Sequence, residues 1–269
     1  KGAALHLLQK QQIVYYYPLI GYEYSYHFQN SFQVEAYSML LNNIKALIID
    51  VHRTLVDDTG FPRDRIWRLL EDSGVKVDFD SYYRLYDNLT KKLFNWPQIN
   101  PFVTIHEIHR RRLKQFYQQY GVIRDIEADL NSLWEAMGSC EIYPEVPQVL
   151  KRLKCRYPIA LLSNADNDDP LIKILLNRGF DFDAIVTSER CGCYKPDAKI
   201  FSHVLEELQL NADDVIMIGD SPASDITGAR NAGIKVVWVN REGIKLNGKY
   251  LKPDFTISNL QQLLKIIPA

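Results

Sequence analysis

From Ile44 onward the chain alternates short apolar runs with longer segments in which apolar residues recur at helical spacing. The short runs have the length of strands and are apolar at successive positions, so both faces of each predicted strand would be buried. Strands of this kind, alternating with helices, predict a parallel sheet that helices cover on both sides. The runs are IKALIID, PIALLSN, DAIVTSE, DVIMIGD, IKVVWVN and DFTIS, at residues 44–50, 158–164, 183–189, 214–220, 234–240 and 254–258.

Helix-length segments separate most of these strands. Gly179 and Gly233 stand where such helices would end, and Pro196 precedes Asp197 at a predicted helix start. The sequence therefore predicts the α/β fold class, with a doubly wound, Rossmann-like parallel sheet. The helical segments are residues 145–154, 169–179, 197–209, 223–233 and 259–267.

A long interruption, residues 56–142, separates the first predicted strand from the second. Its pattern predicts four helices, at residues 61–74, 78–94, 101–121 and 125–137. A crossover of this length does more than connect two strands. We interpret it as an inserted α-helical cap over the carboxyl edge of the sheet, where doubly wound folds bind ligands. Residues 44–55 and 143–269 would then form the α/β core.

Residues 1–43 stand apart from this alternation and are crowded with tyrosine, as in IVYYYPLIGYEYSYHF at residues 13–28. The part YEYSYHF alternates as a strand with one exposed face would. We expect an N-terminal extension that packs on the domain or lies outside it. Contact with a protein partner through this extension is the alternative.

Composition narrows the class of protein. Formal net charge is −1 and hydrophobic residues make up 46% of the chain, which is ordinary for a soluble globular protein. No global positive field would recruit nucleic acid or an anionic membrane, so we expect neither as a partner. No apolar run approaches the roughly 18 residues that a membrane span needs. The four cysteines show neither a disulfide framework nor a paired CxxC site, which favours a reducing, cytoplasmic location.

Polar side chains collect where the predicted strands end. Because neighbouring parallel strands lie about 4.8 Å apart, residues at their carboxyl ends converge on one crevice. These residues are Asp50 after the first strand, Ser163 and Asn164 after the second, Lys195 beyond the third, and Asp220 and Asp225 at the end of the fourth.

One carboxylate at a strand tip, a hydroxyl, a lysine and an acidic pair suit phosphoryl transfer through a covalent intermediate. Asp50 could attack phosphorus as a carboxylate nucleophile. Asp50, Asp220, a backbone carbonyl and waters could supply the hard oxygen ligands that Mg²⁺ prefers. Ser163 and Lys195 could hold the phosphoryl oxygens. A small anionic substrate is therefore the expected partner.

In the order of these motifs the chain resembles the haloacid dehalogenase-like (HAD) superfamily of hydrolases, from Ile44 to its C-terminus. That family has Asp-x-Asp-x-Thr after its first strand, Ser or Thr after the second, Lys in a KPD setting, and Gly-Asp followed by another acid. The helical insertion also resembles the cap that many members carry at that position. The matching stretches are IIDVHRT (48–54), ALLSNAD (160–166), YKPDAKIF (194–201) and IGDSPASDITGARNAGI (218–234).

The resemblance implies a Mg²⁺ cofactor and a role for each matched residue. Asp50 would form the aspartyl intermediate, while Ser163 and Lys195 would bind the transferring group. Asn164 would be a nearby donor, and Thr54 would position the loop around Asp50 at the phosphate site. The metal would be held by Asp50, the backbone carbonyl of His52 and Asp220, with Asp225 acting through water or holding Lys195.

The sequence departs from the family pattern at His52, which stands where phosphatases of the family carry a second aspartate. In those enzymes that residue protonates the leaving alkoxide and then activates water. A side-chain exchange leaves the backbone carbonyl in place for the metal, and an imidazole is a competent acid and base near neutral pH. Histidine is nevertheless bulkier, and its protonated form adds positive charge beside a metal site.

Three functions compete on this evidence. The first, a Mg²⁺-dependent phosphatase of a small phosphomonoester in which His52 moves the proton, is favoured by the intact GDSPASD motif at residues 219–225. The second is carbon-centred hydrolysis like that of 2-haloacid dehalogenases, with Arg84 as a candidate to hold the substrate. The third is a weakly active or non-catalytic binding scaffold. Arg53, also unusual for the family, would face solvent or clamp an anionic substrate.

Overall fold

The computed structural model describes residue 41 and residues 43–94 and 101–267. The predicted tyrosine-rich extension therefore lies almost entirely outside the described residues, and its proposed protein contact stays a prediction. From Leu41 onward the chain forms one compact unit.

A sheet of six parallel strands forms the centre of this unit, in the order β5-β4-β1-β6-β7-β8. The first strand lies in the middle, where Ile48 pairs with Ala160 on one side and Met217 on the other. This confirms the predicted fold class, a doubly wound α/β sheet. The strands are β1 Ala46–Ile49, β4 Ile159–Ser163, β5 Ala184–Thr187, β6 Val215–Gly219, β7 Lys235–Val239 and β8 Phe255–Ile257.

The continuous apolar runs of the sequence correspond to strands that are covered on both faces. Every residue of β1, β4 and β6 is buried. Each fully buried aliphatic side chain contributes about 1.5–3 kcal/mol relative to an exposed one, so the sheet centre is the most strongly stabilised part of the fold. The strand ends at its carboxyl edge are therefore held in fixed positions.

Helices pack around the sheet close to the predicted bounds. Two segments differ from simple α-helices. Residues Pro222–Ile226 form a π-helical turn before α9, and Leu260–Lys265 form a 3₁₀ helix where an α-helix was predicted. The core helices are α5 Val146–Lys154, α6 Pro170–Asn177, α7 Ser188–Cys191, α8 Ala198–Leu208 and α9 Thr227–Asn231.

Four helices lie within the interruption after β1: α1 Arg63–Asp72, α2 Phe79–Phe94, α3 Ile105–Tyr120 and α4 Ile126–Met137. They share an apolar cluster in which the Tyr82 ring lies between Trp67, at 4.9 Å, and Phe116, at 5.2 Å. Asp125 lies at the N-terminus of α4, where its carboxylate accepts hydrogen bonds from two backbone N–H groups. The aromatic side chains of this cluster thus pack the inserted helices against one another.

The pattern did not reveal a short antiparallel pair at the two ends of the inserted helices. Strand β2, Val56–Asp57, pairs with β3, Glu141–Ile142, so the interruption is not helical throughout. Two-residue strands are too short to produce a recognisable alternation in the sequence. The pair brings the chain entering the insertion beside the chain leaving it.

Gly228 in α9 provides the first test of core packing. A Cβ added there would fall inside contact distance of the Phe201 ring and 3.0 Å from Cα of Pro196, which follows Lys195. We expect Gly228→Ala to lower the free energy of unfolding by about 1–3 kcal/mol through overpacking. Chemical denaturation measures the change. Gly248→Ala is the matched control, because nothing lies within 4 Å of a Cβ there, and an equal loss in both variants would contradict the packing argument.

Candidate active site

The ammonium group of Lys195 lies at the centre of the polar crevice. Its Nζ atom donates to Asp50 Oδ1 at 2.6 Å, to Asp225 Oδ1 at 2.7 Å and to the Leu162 carbonyl at 2.8 Å. Burial by itself lowers the pKa of Lys195, but the Asp225 and Asp50 carboxylates outweigh it and raise the pKa above its ordinary value. Lys195 is therefore a buried, fully paired cation that links three strands of the sheet.

The three partners of Lys195 lie in or after three neighbouring strands of the sheet. Asp50 follows β1 and Leu162 lies in β4, while Asp225 lies in the π-helical turn after β6. The close approach of that turn depends on Gly219, since a Cβ there would lie 2.5 Å from the Asp225 carboxylate. The glycine of the GDSPASD motif thus makes room for the second acid of the same motif.

The second oxygen of Asp50 faces Thr54, whose hydroxyl donates to Oδ2 at 3.3 Å. Both side chains are buried, and the Asp50 amide donates to the Ile218 carbonyl of β6 at 2.9 Å. These contacts hold the Asp50 carboxylate in one orientation at the tip of β1. Thr54 accordingly helps to orient Asp50 in this structure.

Ser163 and Asn164 lie at the end of β4 but make different contacts. The Ser163 hydroxyl oxygen is buried at the end of β4 and has no hydrogen-bond partner among the described residues. Buried hydroxyls are rarely left without a partner, so this oxygen fits a ligand atom. The Asn164 side chain instead accepts from the Lys195 N–H at 2.7 Å and donates to the Lys195 carbonyl at 3.1 Å. It holds the lysine loop and was expected to face the substrate.

Three carboxylates meet beside Lys195. Asp50, Asp220 and Asp225 each offer an oxygen within 4.8 Å of the others. Burial raises the pKa of Asp220 and of Asp225, and the nearby carboxylates add to this, although Arg53 and Lys195 act in the opposite direction. A crowded set of hard oxygen ligands fits Mg²⁺. Because Asp225 already uses Oδ1 for Lys195 and Oδ2 for the Ser221 N–H, it suits a supporting position.

Arg53 contacts this acidic cluster directly. Its Nη2 atom lies 2.5 Å from Asp220 Oδ2, while the Arg53 side chain is 49% exposed. Both residues line a cavity of about 100 Å³ whose wall includes Trp238 and Arg241. Arg53 is therefore partly exposed to solvent while its guanidinium contacts a carboxylate of the site.

His52 lies between two carboxylates that sequence patterns did not reveal. Its Nδ1 atom is 2.8 Å from Asp58 Oδ2, and its buried Nε2 atom is 3.4 Å from Asp169 Oδ2 without forming a hydrogen bond. Burial lowers the pKa of His52, but Asp169 and Asp58 together raise it well above its ordinary value. The surroundings of position 52 are thus built for a cation and not for a third carboxylate.

Arg241 fixes the loop that carries these residues. Its guanidinium donates to the carbonyls of Arg53 and Thr54 at 3.1 and 2.9 Å, pairs with Glu145 at 2.8 Å and lies over the Tyr143 ring. The sequence gives Arg241 no local signal beyond its position after β7. Its partners come from both ends of the inserted helices, and only the fold brings them together.

Two side chains connect the inserted helices to the crevice. Asp166, which is buried, accepts from the backbone N–H groups of Ile105 and His106 at 2.7 and 2.8 Å, at the start of α3. The Tyr194 hydroxyl donates to the Val103 carbonyl at 2.6 Å. Asp166 lies two residues after Asn164, and Tyr194 directly precedes Lys195. The start of α3 is therefore joined to both loops that present the predicted ligand-binding groups.

The site thus combines a buried carboxylate at a strand tip with a lysine and an acidic pair, at the carboxyl edge of a doubly wound sheet. The chain belongs to the haloacid dehalogenase-like hydrolase family, whose model matches residues 44–233. The resemblance drawn from the four motifs is thereby confirmed, and the protein is a hydrolase.

Two relatives of this chain are named as phosphatases. A glyceraldehyde 3-phosphate phosphatase of Pyrococcus abyssi is 30% identical over 83% of this chain and 94% of its own length. A phosphoserine phosphatase of Thermus thermophilus is 25% identical over 82% of this chain and 98% of its own.

Solved structures show the same fold. The HAD-hydrolase YfnB of Bacillus subtilis, bound to magnesium, has a TM-score of 0.69 at 22% identity and covers 84% of this chain and 100% of its own. A 2-haloacid dehalogenase of Pseudomonas syringae has a TM-score of 0.61 at 24% identity, over 83% of this chain and 97% of its own.

None of the helices that the structure describes combines the length and apolar character that a membrane crossing requires.

Arg84, the candidate for a dehalogenase-type anion contact, is exposed on α2 and donates to the Ser81 hydroxyl at 3.4 Å. Its described contact is thus within its own helix.

Removal of the Lys195 charge tests the electrostatic centre. We expect Lys195→Met to lower the free energy of unfolding by about 3–5 kcal/mol near pH 7, because two buried carboxylates lose their cation. Lysine with a raised pKa gives its full stabilisation below its ordinary value of about 10.4. The deficit should shrink as the pH falls through and below neutrality, because Asp225, whose pKa burial raises to about 6, takes up a proton and no longer needs the cation.

Denaturant titrations between acid and neutral pH measure this deficit. Lys199→Met, an exposed lysine in α8, is the matched control and should change stability by less than about 0.5 kcal/mol. A Lys195→Met protein as stable as the Lys199→Met protein would show that the carboxylates do not depend on this ammonium.

Proposed function

We propose that this hydrolase is a Mg²⁺-dependent phosphatase that acts on a small phosphomonoester through an aspartyl-phosphate at Asp50. One observation carries the proposal: Asp50 is held at the strand tip by Lys195 and Thr54, beside the unpartnered Ser163 hydroxyl and the carboxylate of Asp220. The phosphatase names of the two relatives support it. On this proposal a nucleophile, an anion-binding group and a metal-binding acid share one crevice.

The chemistry has two steps. In the first, a carboxylate oxygen of Asp50 forms a bond to phosphorus while the ester P–O bond breaks, and the leaving oxygen takes up a proton. In the second, water attacks the phosphorus of the aspartyl-phosphate, which releases inorganic phosphate and regenerates the Asp50 carboxylate. Ser163 would donate to a phosphoryl oxygen in both steps. The three N–H groups of Lys195 hold Asp50, Asp225 and the Leu162 carbonyl, so Lys195 would act on the phosphoryl group through its positive charge.

The metal would be held by Asp50, Asp220 and the carbonyl of His52, with Asp225 as support. When bound, Mg²⁺ supplies positive charge to the phosphoryl oxygens and so reduces their repulsion of the Asp50 carboxylate. The protein's own contribution is orientation, since Lys195 and Thr54 each hold one oxygen of Asp50.

His52 would donate the proton to the leaving oxygen. Asp58 and Asp169 both face its ring nitrogens and favour the protonated imidazolium, which is the form a general acid needs. As placed, Nε2 faces Asp169, so proton transfer requires the ring to turn from Asp169 towards the crevice. Because the surroundings suit a cation, His52 is a matched component of this site and not a defect in it.

Carbon-centred hydrolysis is less well supported. The acidic cluster of Asp50, Asp220 and Asp225 fits a cation, whereas a haloacid substrate would bring another anion without one. Arg84 is exposed and donates within its own helix. A binding scaffold without activity would leave the orientation of Asp50 and the orphaned Ser163 hydroxyl without a purpose.

Phosphate release from p-nitrophenyl phosphate tests the proposed activity. We expect Mg²⁺-dependent turnover that chelation with EDTA abolishes. Asp50→Asn should reduce kcat by at least about a thousandfold, because the amide is not a nucleophile. Asp213→Asn, an exposed acid before β6, is the matched control and should behave as the parent protein. Halide release from 2-haloacids without metal, in place of phosphate release, would overturn the proposal.

The role of His52 is tested by varying the leaving group. With His52→Asn, kcat should fall about a hundredfold for an alkyl phosphate, whose leaving oxygen needs a proton. For p-nitrophenyl phosphate, whose leaving group is stable as an anion, the fall should be far smaller. An equal effect on both substrates would mean that His52 only shapes the loop. His52→Asp adds a third carboxylate beside Asp58 and Asp169, and we expect it to lower activity.

A further inference from the structure

Arg53 is a residue whose backbone is fixed while its charged head is exposed. The backbone is left-handed, with φ of 52°, which is uncommon for a residue with a side chain. Its N–H donates to Asp58 Oδ1 at 3.0 Å, and its carbonyl accepts from Arg241 Nε at 3.1 Å. Strained backbone is retained where the surrounding structure holds it, and such positions concentrate at functional sites. The Cα atom and the direction of the side chain are thus set by the loop.

The Arg53 guanidinium forms an ion pair with Asp220, a carboxylate that the proposed metal would also bind. Arg53 Nη2 is 2.5 Å from Asp220 Oδ2, and the Asp220 side chain is only 13% exposed. A dication at Asp220 would stand close to this guanidinium and repel it, because both are positive and the site is partly shielded from water. Arg53 therefore occupies Asp220 in competition with the metal.

The Arg53 guanidinium, once displaced from Asp220, can move into a neighbouring cavity. Arg53 and Asp220 line the same cavity of about 100 Å³, together with Thr59, Trp238 and Glu242. With its Cα fixed, the side chain can leave Asp220 only by turning within this cavity or towards solvent. A planar, multiply donating guanidinium suits a second anionic group of the substrate, and Asp220, which lines the same cavity, offers an oxygen within 4.8 Å of one of Asp50.

We propose that Arg53 is a specificity residue for phosphomonoesters that carry a second anionic group, a carboxylate or another phosphate, which its guanidinium binds after Mg²⁺ replaces it at Asp220. The proposal rests on the phosphatase function proposed above and identifies its substrate class. It also couples the two ligands, since metal binding frees the group that recognises the substrate.

The first measurement is Mg²⁺ binding by calorimetry in the absence of substrate, so that no turnover is involved. Arg53→Gln should bind Mg²⁺ about fivefold more tightly, because no guanidinium competes for Asp220. Arg53→Lys, which keeps the charge, should stay closer to the parent protein. Arg68→Gln, an exposed arginine in α1, is the control and should show the parent affinity. Unchanged or weaker Mg²⁺ binding in Arg53→Gln would overturn the proposal.

The second measurement compares O-phosphoserine with O-phosphoethanolamine, which differ by one carboxylate, at saturating Mg²⁺. We expect the parent protein to prefer O-phosphoserine in kcat/KM, and Arg53→Gln to reduce this preference about tenfold. Arg53→Lys should retain part of it, and Arg68→Gln all of it. An unaltered preference in Arg53→Gln would contradict the role in substrate recognition.

The two measurements separate this proposal from the one on which it rests. Absence of phosphate release from either compound would count against the phosphatase function, while the Mg²⁺ titration would still decide whether Arg53 competes for Asp220. Tighter Mg²⁺ binding together with a lost preference for the carboxylate supports both parts of the proposal.

Discussion

The buried ammonium of Lys195 is the interaction on which the rest of the crevice depends. It joins the tips of three strands through Asp50, Asp225 and the Leu162 carbonyl, and it offsets negative charge that the interior could not otherwise hold. Burial of two carboxylates costs free energy of solvation, and their ion pairs with the Lys195 ammonium offset that cost. Gly219 permits the close approach of Asp225, and Asn164 holds the backbone of the lysine. Several residues that look catalytic in the sequence thus serve first to position this one cation.

Charge complementarity also explains the unusual first motif. At position 52 a histidine replaces the expected aspartate, and its neighbours are two carboxylates, Asp58 and Asp169, whose charge suits an imidazolium. At position 53 an arginine meets Asp220. Two added positive groups therefore face three acids around the same loop. At both departures from the family pattern, carboxylates lie beside the added positive group.

Much of the fold and part of the site were predictable from the sequence. The strands were predictable because β1, β4 and β6 are apolar on both faces. The convergence of the polar residues at the strand ends was predictable because the carboxyl ends of parallel strands share one edge of the sheet. Asp58, Asp169 and Arg241 were not predictable as members of the site, since their contacts span loops distant in sequence. Asn164 was assigned to the substrate because its position follows the strand, but its amide is taken up by the Lys195 backbone. Spacing along the sequence predicts where a side chain lies, but competition for hydrogen bonds in the fold decides which groups it contacts.

The bonds from Asp166 and Tyr194 to the start of α3 have an evolutionary consequence. Families that diversify by exchanging an inserted segment benefit when that segment is a separate module. Here the segment must present free backbone N–H groups and a carbonyl where its third helix begins, or the loops beside Asn164 and Lys195 lose their supports. Exchange of the whole insertion would remove these supports, whereas side-chain changes on the existing helices would leave the backbone contacts in place.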